Sequence, residues 1–247
     1  MKRKGLGLAD PRVYCKGCPV LQTGFFGALN SESKAALTCM MEYGHYIPRQ
    51  ILYQEGNPAT RIYAVKTGYV KTYRTHPLGK HQVIQIAKGG DVLNLESVHG
   101  RQCTVTAEVL TNSEICFLEV RQLMERAKRS GALAMEIIQI LAAAIVDSQQ
   151  RILDFGTLDA KARFAGFLLD MLPEEAVAAA ASGGPRRGGK EAGFRLPLTR
   201  HEIADLIGVR LETISRLFQL FKEKKIIAAD CRQVRVLNAG KLAELAK

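Results

Sequence analysis

The stretch LPLTRHEIADLIGVRLETISRLFQLFKEKKII, residues 196–227, constrains the fold of this chain more than any other. Thr199 and Glu202 have the T-x-x-E spacing of a capping box, so a short helix begins there. Its inward face carries Ile203, Ala204, Leu206 and Ile207, and Gly208 ends it, because glycine takes the left-handed conformation that a tight turn needs. A second helix follows, apolar at Leu211, Ile214, Leu217, Phe218 and Phe221. Helix, short glycine turn, helix is the helix-turn-helix plan, whose second helix enters the major groove of DNA. IIAADCRQVRVLN, residues 226–238, follows as two short strands around a turn, a candidate wing.

One face of the second helix carries Glu212, Ser215 and Arg216 at the i, i+3, i+4 spacing of surface neighbours. This could be a solvated face with an internal ion pair, or a reading head for base edges. Arg216 can hold a guanine edge bidentately, Glu212 can accept from a cytosine amino group or fix Arg216, and Ser215 suits either role. Arg210, Thr213, Lys222, Lys224 and Lys225 suit phosphates, with Thr199 at the neighbouring helix start. The net charge of +11 over 247 residues favours a polyanionic partner.

Upstream, the hydrophobic period changes twice. Residues 30–43 read as a capped helix. From Gly44 to Val120, short β-rich runs alternate with glycines, the pattern of a small barrel or jelly roll. From Arg121 to about Phe155 the chain reads as helix. Ile138, Leu141, Ile145, Ser148, Ile152 and Phe155 form a heptad seam with one polar member, fitted either to a parallel dimer or to packing on the chain's own barrel. Residues 173–195, rich in Ala, Gly and Pro, read as a flexible loop whose Arg186, Arg187 and Lys190 could touch phosphates. The expected domains are 1–29, a cysteine-containing segment; 30–120, the sensor; 121–158, the dimerisation helix; and 159–247, the winged helix-turn-helix. Together they make an α+β chain.

The longest apolar run, residues 137–146, is shorter than a membrane span and is interrupted by Gln139, and the basic N-terminus lacks the apolar core of a secretory signal. A cytoplasmic protein without a membrane partner is expected, with its six cysteines reduced and available for metal, cluster or redox chemistry. No Ser-His-Asp order, phosphate-cradling glycine loop or H-E-x-x-H site appears, so no enzymatic activity is expected.

β-barrel, long helix and C-terminal winged helix, in that order, resemble the CRP/FNR family of bacterial transcription regulators over nearly the whole chain. GVRLETISRLF looks like the FNR branch, whose E-x-x-S-R helix reads a TTGAT-type half-site. The resemblance implies a cyclic-nucleotide-binding-like jelly roll, a homodimer on inverted repeats of double-stranded DNA, contact with RNA polymerase, and base reading by Glu212, Ser215 and Arg216. It also implies a [4Fe–4S] cluster sensing oxygen or nitric oxide, with Cys15, Cys18 and Cys116 matching three of its cysteines. The family's fourth, six residues after Cys18, is Gly24 here; Cys39, Cys103, Asp10 and His45 are the substitutes available. Zinc or a Cys15–Cys18 thiol–disulfide switch would use the same residues. The nucleotide-binding branch is the rival, with Asp91 and Arg101 at the positions of its ribose and phosphate ligands. Haem is a further alternative, through His45, His76, His81 or His99.

Overall fold

The computed structural model describes residues 18–76, 79, 81–172 and 193–247. The chain divides into two compact units, one ending at Ile145 and one beginning at Val146.

Among the described residues of the first unit three short helices, α1 (Pro19–Gln22), α2 (Gly24–Gly27) and α3 (Ser31–Thr38), precede eight strands. The strands are β1 (Glu42–Tyr46), β2 (Ile51–Tyr53), β3 (Arg61–Thr67), β4 (Val70–Thr75), β5 (His81–Ala87), β6 (Val92–Leu93), β7 (Thr106–Val109) and β8 (Ser113–Glu119). Helix α3 ends at Thr38, earlier than its apolar pattern suggested, and Glu42 already pairs with Phe117 in the sheet. The strands form two four-stranded sheets, ordered β1-β8-β3-β6 and β2-β7-β4-β5, which is the jelly roll expected.

Strand alternation makes two cores. Tyr63, Val65, Ile115 and Phe117 fill the space inside the roll, with Tyr53 stacked on Tyr63 at 5.4 Å. The opposite faces of the same two strands put Ile62, Ala64, Cys116 and Leu118 into a second core on the outside. Phe25 and Phe26 of α2 cover that core, together with Leu123 of α4 (Val120–Arg129) and Leu133 and Ile137 of α5 (Gly131–Thr157).

The region expected to be one helix from Arg121 is therefore two. The break falls at Ser130, which has extended backbone angles and whose Oγ accepts a hydrogen bond from Leu133 N at 3.3 Å. A Ser-Gly pair makes this natural, since serine caps the new helix and Gly131 carries no side chain to crowd it. Helix α5 then runs 27 residues and is long and apolar enough, by length and composition alone, to cross a membrane. The short apolar run had suggested otherwise. Charged side chains at Glu136, Asp147, Arg151 and Asp154 punctuate it.

The second unit contains the end of α5, then α6 (Ala160–Asp170), β9 (Gly193–Arg195), α7 (Arg200–Ile207), α8 (Leu211–Glu223), β10 (Ile227–Asp230), β11 (Gln233–Val236) and α9 (Ala239–Leu245). Most of the 173–195 loop, with Arg186, Arg187 and Lys190, lies outside the described residues. Its last three residues are not loop but strand β9, which pairs with β11 to make a three-stranded wing ordered β10-β11-β9. Phe164 on α6 meets Phe218 at 4.8 Å and Phe221 at 5.2 Å, both on the inner face of α8. With Ile203, Ile214 and Leu217, these rings form the unit's core.

Candidate nucleic-acid interface and thiol site

Helix α7 starts with the capping box that its sequence called for: Glu202 N–H donates to Thr199 Oγ1 at 3.2 Å, and Thr199 N–H to Glu202 Oε2 at 2.8 Å. Gly208 has φ +69, and Val209 N–H reaches back to the Ala204 carbonyl at 3.0 Å, closing the helix. Three residues later α8 begins. It buries Ile214, Leu217, Phe218 and Phe221 and leaves Glu212, Ser215 and Arg216 exposed together.

No ion pair joins Glu212 to Arg216 among the described residues, so the internal pair considered as an alternative does not form. Both groups stand open to solvent. Gln219, also exposed, extends the same face by one more turn, and its amide donates to Glu223 at 2.8 Å. Sequence reasoning missed it, although its spacing of seven from Glu212 identifies the face; a glutamine amide can pair with an adenine edge. Arg210 precedes the helix without capping it through its side chain and is exposed, as are Lys222, Lys224 and Lys225; Thr213 is half-buried. Thr199 is engaged by its own capping box.

Of the three matched cysteines, Cys15 lies outside the described residues. Cys18 and Cys116 both belong to the outer core of the first unit, 5% and 8% exposed, a core to which Leu133 and Ile137 of α5 also contribute. The other ligand candidates do not join them. Cys39 is exposed at the end of α3, Cys103 sits inside the roll, and His45 has a 65% exposed side chain facing Glu114 at 3.8 Å; Asp10 lies outside the described residues. At Gly24 a Cβ would stand 2.7 Å from the Gly90 carbonyl oxygen. Among the described residues no three His, Cys, Asp or Glu side chains gather closely enough for a metal. Of the matched cysteines the described residues thus place Cys18 and Cys116 in one core, and position 24 does not fit a fourth thiolate without a shift of backbone.

Burial pushes the Cys103 thiol above its ordinary range. Two of the histidines considered for haem make exposed local contacts. His81 Nδ1 lies 3.1 Å from Thr75 Oγ1, and His99 Nδ1 accepts from Arg101 N–H at 3.1 Å.

The two candidate nucleotide ligands differ in setting. Asp91 accepts the Lys88 N–H at 2.8 Å within its own turn. Arg101 is exposed and lines an open hollow of about 600 Å³ with Glu55, Arg74 and His99. Aromatic side chains of the chain itself, Tyr53, Tyr63 and Phe117, occupy the interior of the roll.

The seam residues Ile138, Ile145, Ile152 and Phe155 are 56%, 60%, 73% and 49% exposed, and Ser148 is exposed with them. Leu141 departs from that pattern, being half-buried against the outer core. Exposed Met135, Val146 and Leu153 widen the apolar stripe.

Comparison with known proteins accords with this architecture. Residues 162–245 match the Crp-like helix-turn-helix domain, and residues 44–130 the cyclic nucleotide-binding domain. The chain is 26% identical to the transcriptional activator protein Anr of Pseudomonas protegens, over 96% of this chain and 94% of that protein. It is 26% identical to the fumarate and nitrate reduction regulatory protein of Vibrio cholerae (95% and 90%) and 24% identical to the anaerobic regulatory protein of Haemophilus influenzae (94% and 88%). Among solved structures it superposes on FixK2 from Bradyrhizobium japonicum with a TM-score of 0.70 and 26% identity, covering 84% of this chain and 98% of that one.

Proposed function

Proceeding from a chain whose domain matches and relatives support a DNA-binding regulator of the CRP/FNR family, we propose that it is a homodimeric transcription regulator that reads a TTGAT-type inverted repeat. The observation that carries this reading is the exposed, unpaired Glu212–Ser215–Arg216 face of α8, set at the start of the second helix of a capped helix-turn-helix. Arg216 reads a guanine edge; Glu212 and Ser215 complete the base contacts, and Arg210, Thr213 and the lysines hold phosphates. Dimerisation uses the exposed apolar stripe of α5, so that two recognition helices meet the two halves of a palindrome. The regulator works in the cytoplasm, and the activator names of several relatives support contact with RNA polymerase.

The input is oxygen, nitric oxide or redox state. Support comes from the anaerobic regulation named for several relatives and from the shared core of Cys18 and Cys116. Cys15, Cys18 and Cys116 would hold an iron–sulfur centre, which supplies chemistry that oxygen and nitric oxide disrupt. The chain's own contribution is placement: both described thiols lie in the same buried core as Leu133 and Ile137, so a change of volume in that core would bear on the base of α5. A second reading, a cyclic nucleotide bound at the jelly roll, draws on the domain match over 44–130 and on exposed Arg101.

Gel-shift titration tests the DNA reading. Arg216→Ala should cost about 1–3 kcal/mol on a TTGAT repeat and relax preference at one base pair. Equal losses on the repeat and on random DNA would show that α8 does not read bases through Arg216.

A further inference from the structure

Three groups from different elements of the second unit converge on Arg163. Its Nε donates to the Ile207 carbonyl at 2.9 Å, and its Nη1 to the carbonyls of Phe155, at 3.4 Å, and Leu158. Its guanidinium also lies over the Phe155 ring, 5.4 Å from the centroid.

Chemistry explains the convergence. The last carbonyls of a helix have no partner within it and carry the negative end of its dipole. Helix α5 ends at Thr157 and α7 at Ile207. Closure of α7 uses the Ala204 and Asp205 carbonyls and leaves that of Ile207 for Arg163. A planar guanidinium with five N–H donors can satisfy several carbonyls in fixed directions at once; an ammonium on a flexible stem cannot impose that geometry. Phe155 adds a second link to the same turn, since a Cβ at Gly208 would stand 3.0 Å from its ring. The next residue, Phe164, holds the inner face of α8 through Phe218 and Phe221.

We propose that Arg163 is a positioning residue: by tying the end of α5 to the turn between α7 and α8, it fixes how the reading head is presented relative to the helix that pairs the two protomers. Phe155 belongs both to the exposed stripe of α5 and to this clamp, so the pairing of α5 is felt directly at the turn before Leu211. The proposal rests on α8 reading DNA in a dimer. It adds that the half-site spacing a dimer accepts is set by Arg163, a residue outside the base-reading face.

The test uses the full chain on three DNAs: the TTGAT inverted repeat with the spacer that the wild-type protein selects from a random-spacer pool, the same repeat with one or two base pairs added, and a single half-site. Thermal midpoints are measured alongside. In Arg163→Lys and Arg163→Ala, half-site affinity should stay within about twofold of wild type. Discrimination between selected and lengthened spacers should fall about tenfold, the scale of one mismatched base pair. Arg163→Lys keeps the charge and aliphatic stem, so it carries the test if the alanine variant does not fold. Unchanged spacer discrimination in the lysine variant would overturn the proposal. So would a parallel loss of half-site affinity, discrimination and thermal midpoint, which marks a merely structural residue. A wild-type protein that selects no inverted repeat would instead overturn the DNA reading, and the proposal with it.

Discussion

At Gly24 the backbone runs at φ +55, and at Gly90, which it touches, at φ +98. A Cβ on Gly90 would stand 2.1 Å from Thr23 Oγ1, so each glycine is needed by the other's segment. The position that the family resemblance matched to a fourth cysteine is here a contact between α2 and the β5–β6 turn. Neither the conformation nor the space admits a side chain without a shift of backbone. Gly24→Ala should therefore lower stability by about 1–3 kcal/mol, from strain and overpacking together. Thermal or denaturant unfolding checks this, and a midpoint equal to wild type would mean that the turn yields freely. The glycine was visible in the sequence as a departure from a pattern. Its reason was not, because Gly90 lies 66 residues away.

Helix α5 shows how one element serves two surfaces. Leu133 and Ile137 are buried in the outer core, while Ile138, Ile145 and Ile152 point to solvent. The heptad spacing identified an apolar seam, but spacing alone cannot say whether a position faces the chain's own barrel or another helix; Leu141 turns out to face the barrel in part. An exposed stripe of this length is the form of a helix–helix interface. Ser148 is a polar member of that stripe, which in the proposed dimer would oppose pairing. Ser148→Leu should tighten self-association about tenfold, and Ile152→Asp should oppose it, because a carboxylate would then face the partner's apolar stripe. Analytical ultracentrifugation across a concentration series measures both, and identical sedimentation of all three proteins would remove α5 as the dimer interface.

At the scale of the whole molecule, the proposed input residues Cys18 and Cys116 belong to one compact unit and the proposed reading face to the other, and residues of α5 belong to both. The outer core contains Cys18 and Cys116 together with Leu133 and Ile137 of the first turns of α5, and Arg163 contacts its end at Phe155. Under the proposed reading a signal at the thiols would act through α5, and its coupling must come from two states of that element. Protein purified without oxygen should be brown, with iron and sulfide in proportion, and should bleach in air; Cys116→Ser should abolish the colour. A colourless, iron-free protein that gives heat with cyclic AMP in calorimetry would move the input to Arg101 and the jelly roll.

The sequence alone determined the output end. Capping box, turn glycine, apolar period and reading face all lie within 32 consecutive residues, and local rules of helix formation decide such segments. It likewise determined the change from strand to helix near Val120, since the two periods differ. The break at Ser130 followed from a Ser-Gly pair that periodicity overrode. What tertiary structure decided was which distant residues come together: Cys18 and Cys116 in one core, Gly24 with Gly90, and Arg163 with Ile207. None of these leaves a local pattern, because the partners are joined only by the folding of chain segments that sequence spacing cannot orient. Sheet order and helix packing set those distances, and with them which cysteines can act together and how the reading head is held.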